Sequence, residues 1–97
     1  MGMHNPPHPG EFICSTYLEP FGVSVRTLAQ SLGVSPSTVN RITNGQSAIS
    51  PSMALRLSKA LGRSAESWLA MQCQYDLWHA KKDIDLKSVK KMNFKAA

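Results

Sequence analysis

Apolar side chains recur at three- and four-residue intervals along most of the chain, and this is the spacing that predicts helices. Residues that start or stop helices separate the periodic segments: Pro20 and Gly22 end the first, Gly33 ends the second and Gly62 ends the fourth. The sequence therefore predicts an all-α domain of five helices, the last of which covers residues 65–78.

The two central helices, within residues 24–46, are predicted to form a pair. Ser24 is placed to cap the first helix, and Gly33 is placed to end it in the left-handed conformation. Ser35 caps the second helix, and Pro36 takes its first position, where a missing N–H costs nothing. A short glycine-containing turn between two helices, the second with a polar outer face, is typical of helix-turn-helix proteins that read the DNA major groove.

The outer face of the second helix of this pair carries the candidate base contacts. Val39 and Ile42 are predicted to point inward, which leaves the polar side chains facing outward. Arg41 has the greatest capacity to read a base, because a guanidinium can donate two hydrogen bonds to guanine, worth about 1–3 kcal/mol of discrimination. The predicted base contacts are Ser37, Thr38, Asn40 and Arg41.

Candidate phosphate contacts lie at the rims of the helix pair. Arg26 falls in the first turn of the preceding helix, whose free N–H groups also favour an anion. For Arg26 and Gln46, phosphate contact and ordinary solvent exposure are equally compatible with the sequence. Ser35 is better suited to capping, and Asn44 is equally suited to a helix end. The predicted phosphate contacts are Arg26, Thr27, Ser35, Asn44, Gln46 and Ser47.

The fifth segment is more apolar than one face of a small domain requires. One stripe contains four large side chains, and a second stripe of Leu69, Cys73 and Leu77 lies beside it. We interpret the surplus as a surface that packs on a second copy of the chain, although a core helix with one exposed aromatic residue is an alternative. The predicted dimer interface comprises Trp68, Met71, Tyr75, Leu77 and Trp78.

Positive charge is concentrated at the end of the chain. The formal net charge is +5, and residues 81–97, with six lysines and two aspartates, contribute +4 of it. We therefore divide the chain into a helix-turn-helix domain with a dimerisation helix, residues 1–80, and a basic tail, residues 81–97. The tail mixes lysines with apolar residues and is compatible with a short helix, a strand or an arm that becomes ordered on binding.

The composition argues against several other classes of protein. No apolar run approaches the ~20 residues of a membrane span, and the first residues lack the apolar region of a secretory signal, so a cytoplasmic protein is expected. Cys14 and Cys73 are too few for a disulfide framework or a zinc cluster. His4 and His8 are four residues apart, but the intervening prolines favour a structured lead-in over a metal site, and we expect neither a metal nor a cofactor.

An enzyme is the function that the sequence supports least. A nucleophilic cysteine needs a nearby base, and the one pairing that the sequence offers is Cys14 with His8 or His4. No paired carboxylates and no glycine-rich phosphate loop accompany that pairing.

Three blocks of the sequence resemble, in order, the HigA-type antitoxins of bacterial toxin–antitoxin systems, within the lambda-repressor-like helix-turn-helix family. They are NPPHPGEFI at residues 5–13, LAQSLGVSPSTVNRITNGQSAISPSMALRLSKALG at residues 28–62 and SAESWLAMQCQYDLW at residues 64–78. The resemblance implies a five-helix DNA-binding domain that dimerises, represses its own promoter and neutralises a ribosome-dependent mRNA-cleaving toxin. By position it also implies base contacts from Ser37, Thr38 and Arg41, and phosphate contacts around Arg26, Thr27, Asn44 and Gln46.

Two functions remain compatible with the sequence. The first is a dimeric repressor and antitoxin, whose two reading helices, about 34 Å apart, require a palindromic operator on double-stranded DNA. The second is a solitary helix-turn-helix regulator with no toxin partner. The gene next to this one distinguishes them, because an antitoxin requires a neighbouring toxin gene.

Overall fold

The computed structural model describes residues 5–95, and within that range it contains five helices and no strand. The all-α prediction is therefore confirmed. The first helix continues directly into a π-helical turn, and together they cover the predicted first segment. The elements are α1 (Pro9–Ile13), the π-helical turn (Cys14–Leu18), α2 (Val25–Leu32), α3 (Pro36–Thr43), α4 (Pro51–Leu61) and α5 (Ala65–Asp83).

Serine side chains begin four of the five helices. Ser24, Ser35, Ser50 and Ser64 each accept a hydrogen bond, at 3.0–3.3 Å, from the backbone N–H three residues further on. Each serine thereby satisfies one of the N–H groups that a helix leaves without a partner in its first turn. Gly33 ends α2 at φ +72°, as the sequence predicts. The helix boundaries are thus encoded locally.

The core is an aliphatic cluster from α1 to α4, closed on one side by an aromatic ring from α5. Trp68 is 0% exposed, and its indole lies 6.0 Å from the ring of Phe12 and 6.2 Å from that of Tyr17. The prediction that Trp68 contributes to a dimer interface is therefore wrong. Its side chain is fully buried in the core of its own chain.

The first and third helices approach each other with no side chain between them at Gly10. A Cβ atom at this position would overlap the Ile42 carbonyl oxygen and lie 2.8 Å from the Thr43 Cα atom. Both neighbours are backbone atoms, which cannot rotate away as a side chain can. Residue 10 must therefore be glycine for α1 to rest on the last turn of α3.

The remaining apolar surface of α5 differs from the predicted interface. Met71 and Tyr75 are half-buried against their own chain, whereas Cys73 is exposed and Leu77 is 53% exposed. With Leu69, these two side chains line a shallow apolar depression that Asp76 borders. The second stripe is thus the part of α5 that is left uncovered.

None of the described helices, α5 included, is long and apolar enough to cross a membrane.

The fifth helix runs to Asp83, five residues beyond its predicted end at Trp78 and three into the predicted tail. Residues 84–95 contain neither helix nor strand, and every one of them is exposed. A single turn, closed by the Val89 N–H donating to the Leu86 carbonyl at 3.0 Å, interrupts this arm. Its apolar side chains, 58–84% exposed, are Ile84, Leu86, Val89, Met92 and Phe94.

Candidate nucleic-acid interface

The third helix buries one face and presents the other to solvent. Val39 and Ile42 are 2% and 5% exposed and pack in the core. On the opposite face, Ser37, Asn40 and Arg41 are exposed. Thr38, the fourth predicted base contact, is half-buried at the edge of that face. The structure thus brings the four predicted base contacts onto one helix of eight residues.

Hydroxyl groups cluster at the N-terminus of α3. The Ser35 Oγ atom lies 3.0 Å from Thr38 Oγ1 and 3.2 Å from Ser37 Oγ, within hydrogen-bond distance of both. A hydroxyl has one donor and two acceptor sites, so these side chains are partly occupied by one another. They are short and locally engaged, and they offer less base discrimination than Arg41.

Two of the four arginines have structural partners. The Arg56 Nη1 atom donates to the Leu32 carbonyl at 2.7 Å and to the Gly33 carbonyl at 3.4 Å. It thereby satisfies carbonyl groups at the C-terminal end of α2, in the turn between α2 and α3. Arg63 places its guanidinium 5.1 Å from the ring centroid of Phe12, a cation–π distance. Sequence reasoning missed the role of Arg56, because its partners are 23 and 24 residues away.

The other two arginines belong to the helix pair and are exposed. Arg26 lies in the first turn of α2, and Arg41 lies in the last turn of α3. Among the described residues, neither guanidinium has a hydrogen-bond or ion-pair partner. These are the two long cationic side chains that the helix pair leaves available for a ligand.

The loop after α3 holds the remaining predicted phosphate contacts. Asn44 ends the helix with its N–H donating to the Asn40 carbonyl at 2.9 Å. The N–H groups of Gln46 and Ser47 both donate to the Arg41 carbonyl, at 2.8 and 3.1 Å. The backbone turn after Asn44 is therefore tied to the helix. The predicted contacts are grouped at the two ends of α3, with Arg26 and Thr27 on the first turn of α2.

His8 has a structural role that sequence reasoning missed. Its side chain is 8% exposed, and its Nδ1 atom accepts from the Gly10 N–H at 2.9 Å, which caps α1. Its ring lies edge-on to Tyr75 of α5, with 4.9 Å between centroids, and it lies beside the loop after α3 at Gly45. His8 thus contacts both α5 and the loop after α3. A capping residue followed by a proline also occurs at Ser35 and Ser50, and the same pattern could have identified His8 as the cap of α1.

Burial determines the protonation state of His8. Removal from water lowers the pKa of His8 below its usual 6.5, although Asp76, the Ser47 backbone and Glu11 act in the opposite direction. Since Nδ1 accepts a hydrogen bond, the proton of the neutral ring is on Nε2. A second proton would have to displace the cap of α1.

We predict that acid destabilises the domain through His8. Between its lowered pKa in the fold and 6.5, the unfolded chain binds more protons than the native one. The contribution of His8 is therefore complete above pH 6.5 and is lost as the pH falls toward the lowered pKa. Thermal unfolding between pH 7.5 and 5 should show a steeper loss of Tm in the parent than in His8→Asn. Asparagine also caps helices but does not titrate. Parallel pH profiles for the two proteins would contradict this role.

The cysteine considered as a possible nucleophile has the wrong environment. Burial raises the pKa of the Cys14 thiol, and Glu19 adds to the effect. An activated cysteine requires the opposite shift, and His8 already uses Nδ1 as a cap. His4, the other base considered, lies outside the described residues. Between residues 5 and 95, no three histidine, cysteine or acidic side chains come together as metal ligands.

Comparison with known proteins places this geometry in context. The model of the HTH_3 family, described as Helix-turn-helix, matches residues 16–68, which include α2, α3 and α4. Virulence-associated protein I of Dichelobacter nodosus is 47% identical over 76 residues, covering 78% of this chain and 70% of that protein. Antitoxin HigA-1 of Vibrio cholerae is 39% identical over 69 residues, covering 71% of this chain and 65% of that protein.

A solved structure extends the similarity to nearly the whole chain. Antitoxin GraA in complex with its operator superposes with a TM-score of 0.85, at 36% identity and over 97% of each chain. These findings confirm the lambda-repressor-like fold and the resemblance to HigA-type antitoxins. They also confirm the prediction that the chain is not an enzyme, because the matching family is helix-turn-helix and two of these similar proteins are antitoxins.

Proposed function

The chain belongs to the HTH_3 helix-turn-helix family, and we propose that it is a homodimeric antitoxin that represses its own operon and neutralises a partner mRNA-cleaving toxin. The observation that carries the DNA-binding part is the exposed polar face of α3, on which Arg41 has no partner among the described residues. The similarity to antitoxin GraA in complex with its operator supports the same conclusion.

In this proposal α3 enters the major groove and Arg41 reads a guanine. Its planar guanidinium donates to O6 and N7 of the base. Ser37 and Thr38 are short, so they make secondary contacts, and DNA shape supplies part of the specificity. Asn40, one residue before Arg41 on the exposed face, completes the set of base contacts.

The phosphate backbone is bound from the rims of the helix pair. Arg26 neutralises a phosphate beside the N-terminus of α2, where the helix dipole also favours an anion. The loop after α3 approaches a second phosphate with polar side chains, of which Gln46 is exposed and Ser47 half-buried. The proposed phosphate contacts are Arg26, Thr27, Ser35, Asn44, Gln46 and Ser47.

We predict that Arg41→Ala removes most of the sequence discrimination. The dimer loses one bidentate contact, worth about 1–3 kcal/mol, in each of its two half-sites, so the Kd for the operator should rise roughly 30-fold or more. Gel shifts at physiological salt should use the DNA upstream of the gene and a scrambled duplex of equal length. Binding to the scrambled duplex should weaken much less. Lys59→Ala, which removes an exposed cation from α4, is the matched control. Equal binding by Arg41→Ala and the parent would contradict the reading role.

The proposed dimer uses the part of α5 that the core leaves uncovered. Leu77, with Leu69 and Cys73 beside it, forms the centre of the contact. Met71, Tyr75 and Trp78 of the predicted interface are half-buried and do not line that depression, and Trp78 has Lys82 4.2 Å from its ring centroid. A two-fold dimer of this kind supplies two reading helices and requires a palindromic operator.

We predict that Leu77→Glu dissociates this dimer. A two-fold interface loses the leucine twice, and each buried leucine contributes about 1.5–3 kcal/mol, so the dimer Kd should rise roughly a hundredfold or more. Light scattering measures the mass of the protein in solution. Cys73, which the second copy covers in the proposed dimer of the parent, should become as reactive to alkylation as an exposed thiol. Leu55→Glu, at a side chain of α4 that is 65% exposed, is the control. A parent protein that is already monomeric would contradict the proposed dimer.

A partner toxin is the second element of the proposal. The physical support is the row of exposed apolar side chains on the arm of residues 84–95, together with the similarity to antitoxin HigA-1. The product of the adjacent gene should co-purify with the full chain after co-expression, and its toxicity should disappear. The absence of any toxin gene beside this one would instead support a solitary regulator.

A further inference from the structure

The loop between α3 and α4 ends in a buried hydrogen bond to the fifth helix. The Ile49 N–H donates to Gln72 Oε1 at 2.8 Å, and the two side chains are 3% and 6% exposed. The partners are 23 residues apart in sequence. Without this acceptor the buried N–H of Ile49 would have no hydrogen-bond partner, which would cost stability. This requirement explains why Gln72, a polar residue, occupies the core-facing side of α5, where an apolar residue would otherwise be expected.

A second hydrogen bond determines which end of the Gln72 amide faces the loop. Gln72 Nε2 donates to Asp76 Oδ1 at 3.0 Å, one helical turn further along α5. The two ends of a glutamine amide have nearly the same shape, but the oxygen alone can accept from Ile49. Because a carboxylate can only accept, Asp76 selects the NH₂ end and leaves the oxygen for the loop.

The loop is consequently held at both of its ends. At its start, the N–H groups of Gln46 and Ser47 donate to the Arg41 carbonyl of α3. The His8 ring packs beside the loop at Gly45. At its end, Ile49 is held by Gln72 of α5. The backbone that carries the proposed phosphate contacts Gln46 and Ser47 is therefore tied to the reading helix and to the proposed dimer helix together.

We propose that Gln72, oriented by Asp76, is a positioning residue for DNA binding. It holds the Gln46–Ser47 backbone in the position that a phosphate needs before DNA arrives, so that the loop need not be ordered on binding. Since Gln72 belongs to α5, it also couples the loop of each half-site to the geometry of the dimer. This inference deepens the proposed function and rests on it.

The test compares Gln72→Met with Gln74→Met. Both substitutions replace a glutamine of α5 by an unbranched apolar side chain, but Gln74 is exposed and has no partner in the loop. The probe is a duplex taken from the DNA upstream of the gene, titrated by fluorescence anisotropy at several salt concentrations. The temperature is chosen so that circular dichroism shows every variant to be folded.

Gln72→Met should raise the Kd for this duplex about tenfold while the dimer mass stays unchanged. The slope of log K against log salt should become shallower by about 0.9 for each phosphate that the variant no longer neutralises. Exchange of the Ile49 amide hydrogen should accelerate in the free protein. Gln74→Met should match the parent in all three measurements. A merely structural role would lower Tm but leave the Kd and the salt slope of the folded protein unchanged, and that result would overturn the proposal.

A pair of variants at Asp76 tests the orientation of the amide and avoids the buried position. Asp76→Asn keeps an oxygen that can accept from Gln72, whereas Asp76→Leu removes it. Asp76→Leu should therefore weaken DNA binding and flatten the salt slope in the same direction as Gln72→Met, and Asp76→Asn should lie closer to the parent. Equal effects of the two variants would overturn the orienting role. A parent that fails to bind the duplex at all would instead refute the proposed function itself.

Discussion

The direct contact between the backbones of α1 and α3 at Gly10 is the constraint on which the rest of the structure depends. It sets the position of the last turn of α3, because the Ile42 carbonyl occupies the space of a Cβ atom. The side chains of Val39 and Ile42 anchor the same helix in the core. With both contacts in place, the polar face of α3 has a defined direction, and Arg41 projects from a rigid support.

The arginines show how this small domain separates stability from recognition. Arg56 and Arg63 are engaged by carbonyl groups and an aromatic ring of the fold. Arg26 and Arg41 have no partner among residues 5–95, and both lie on the helix pair. Composition cannot make this division, since all four residues contribute equally to net charge. An arginine remains available for DNA only where the fold brings no carbonyl group or aromatic ring from a distant part of the sequence next to it.

Locally encoded features were predictable from the sequence, and features that depend on distant partners were not. Serine caps, glycine stops and the burial of Val39 and Ile42 follow from short-range patterns, so the five helices and the polar face of α3 were predicted correctly. Trp68 was misassigned because α5 is apolar over a wide arc, and periodicity does not reveal which part of that arc faces inward. His8 and Gln72 are polar, and their burial follows from contacts with Tyr75 and Ile49 that no local pattern records.

The proposed reading face has one long base-reading side chain per copy of the chain. The positions of the loop backbone and of the two reading helices therefore have a large effect on DNA binding. One bidentate arginine supplies about 1–3 kcal/mol of discrimination, and two half-sites supply about twice that. The remaining affinity and specificity must come from phosphate contacts and DNA shape, which depend on where the backbone is held. A buried hydrogen bond contributes only about 0.5–1.5 kcal/mol to stability, so the Ile49–Gln72 bond is a modest stabiliser. Its larger effect is to keep the loop, the reading helix and α5 in one arrangement, on which two spaced half-sites depend.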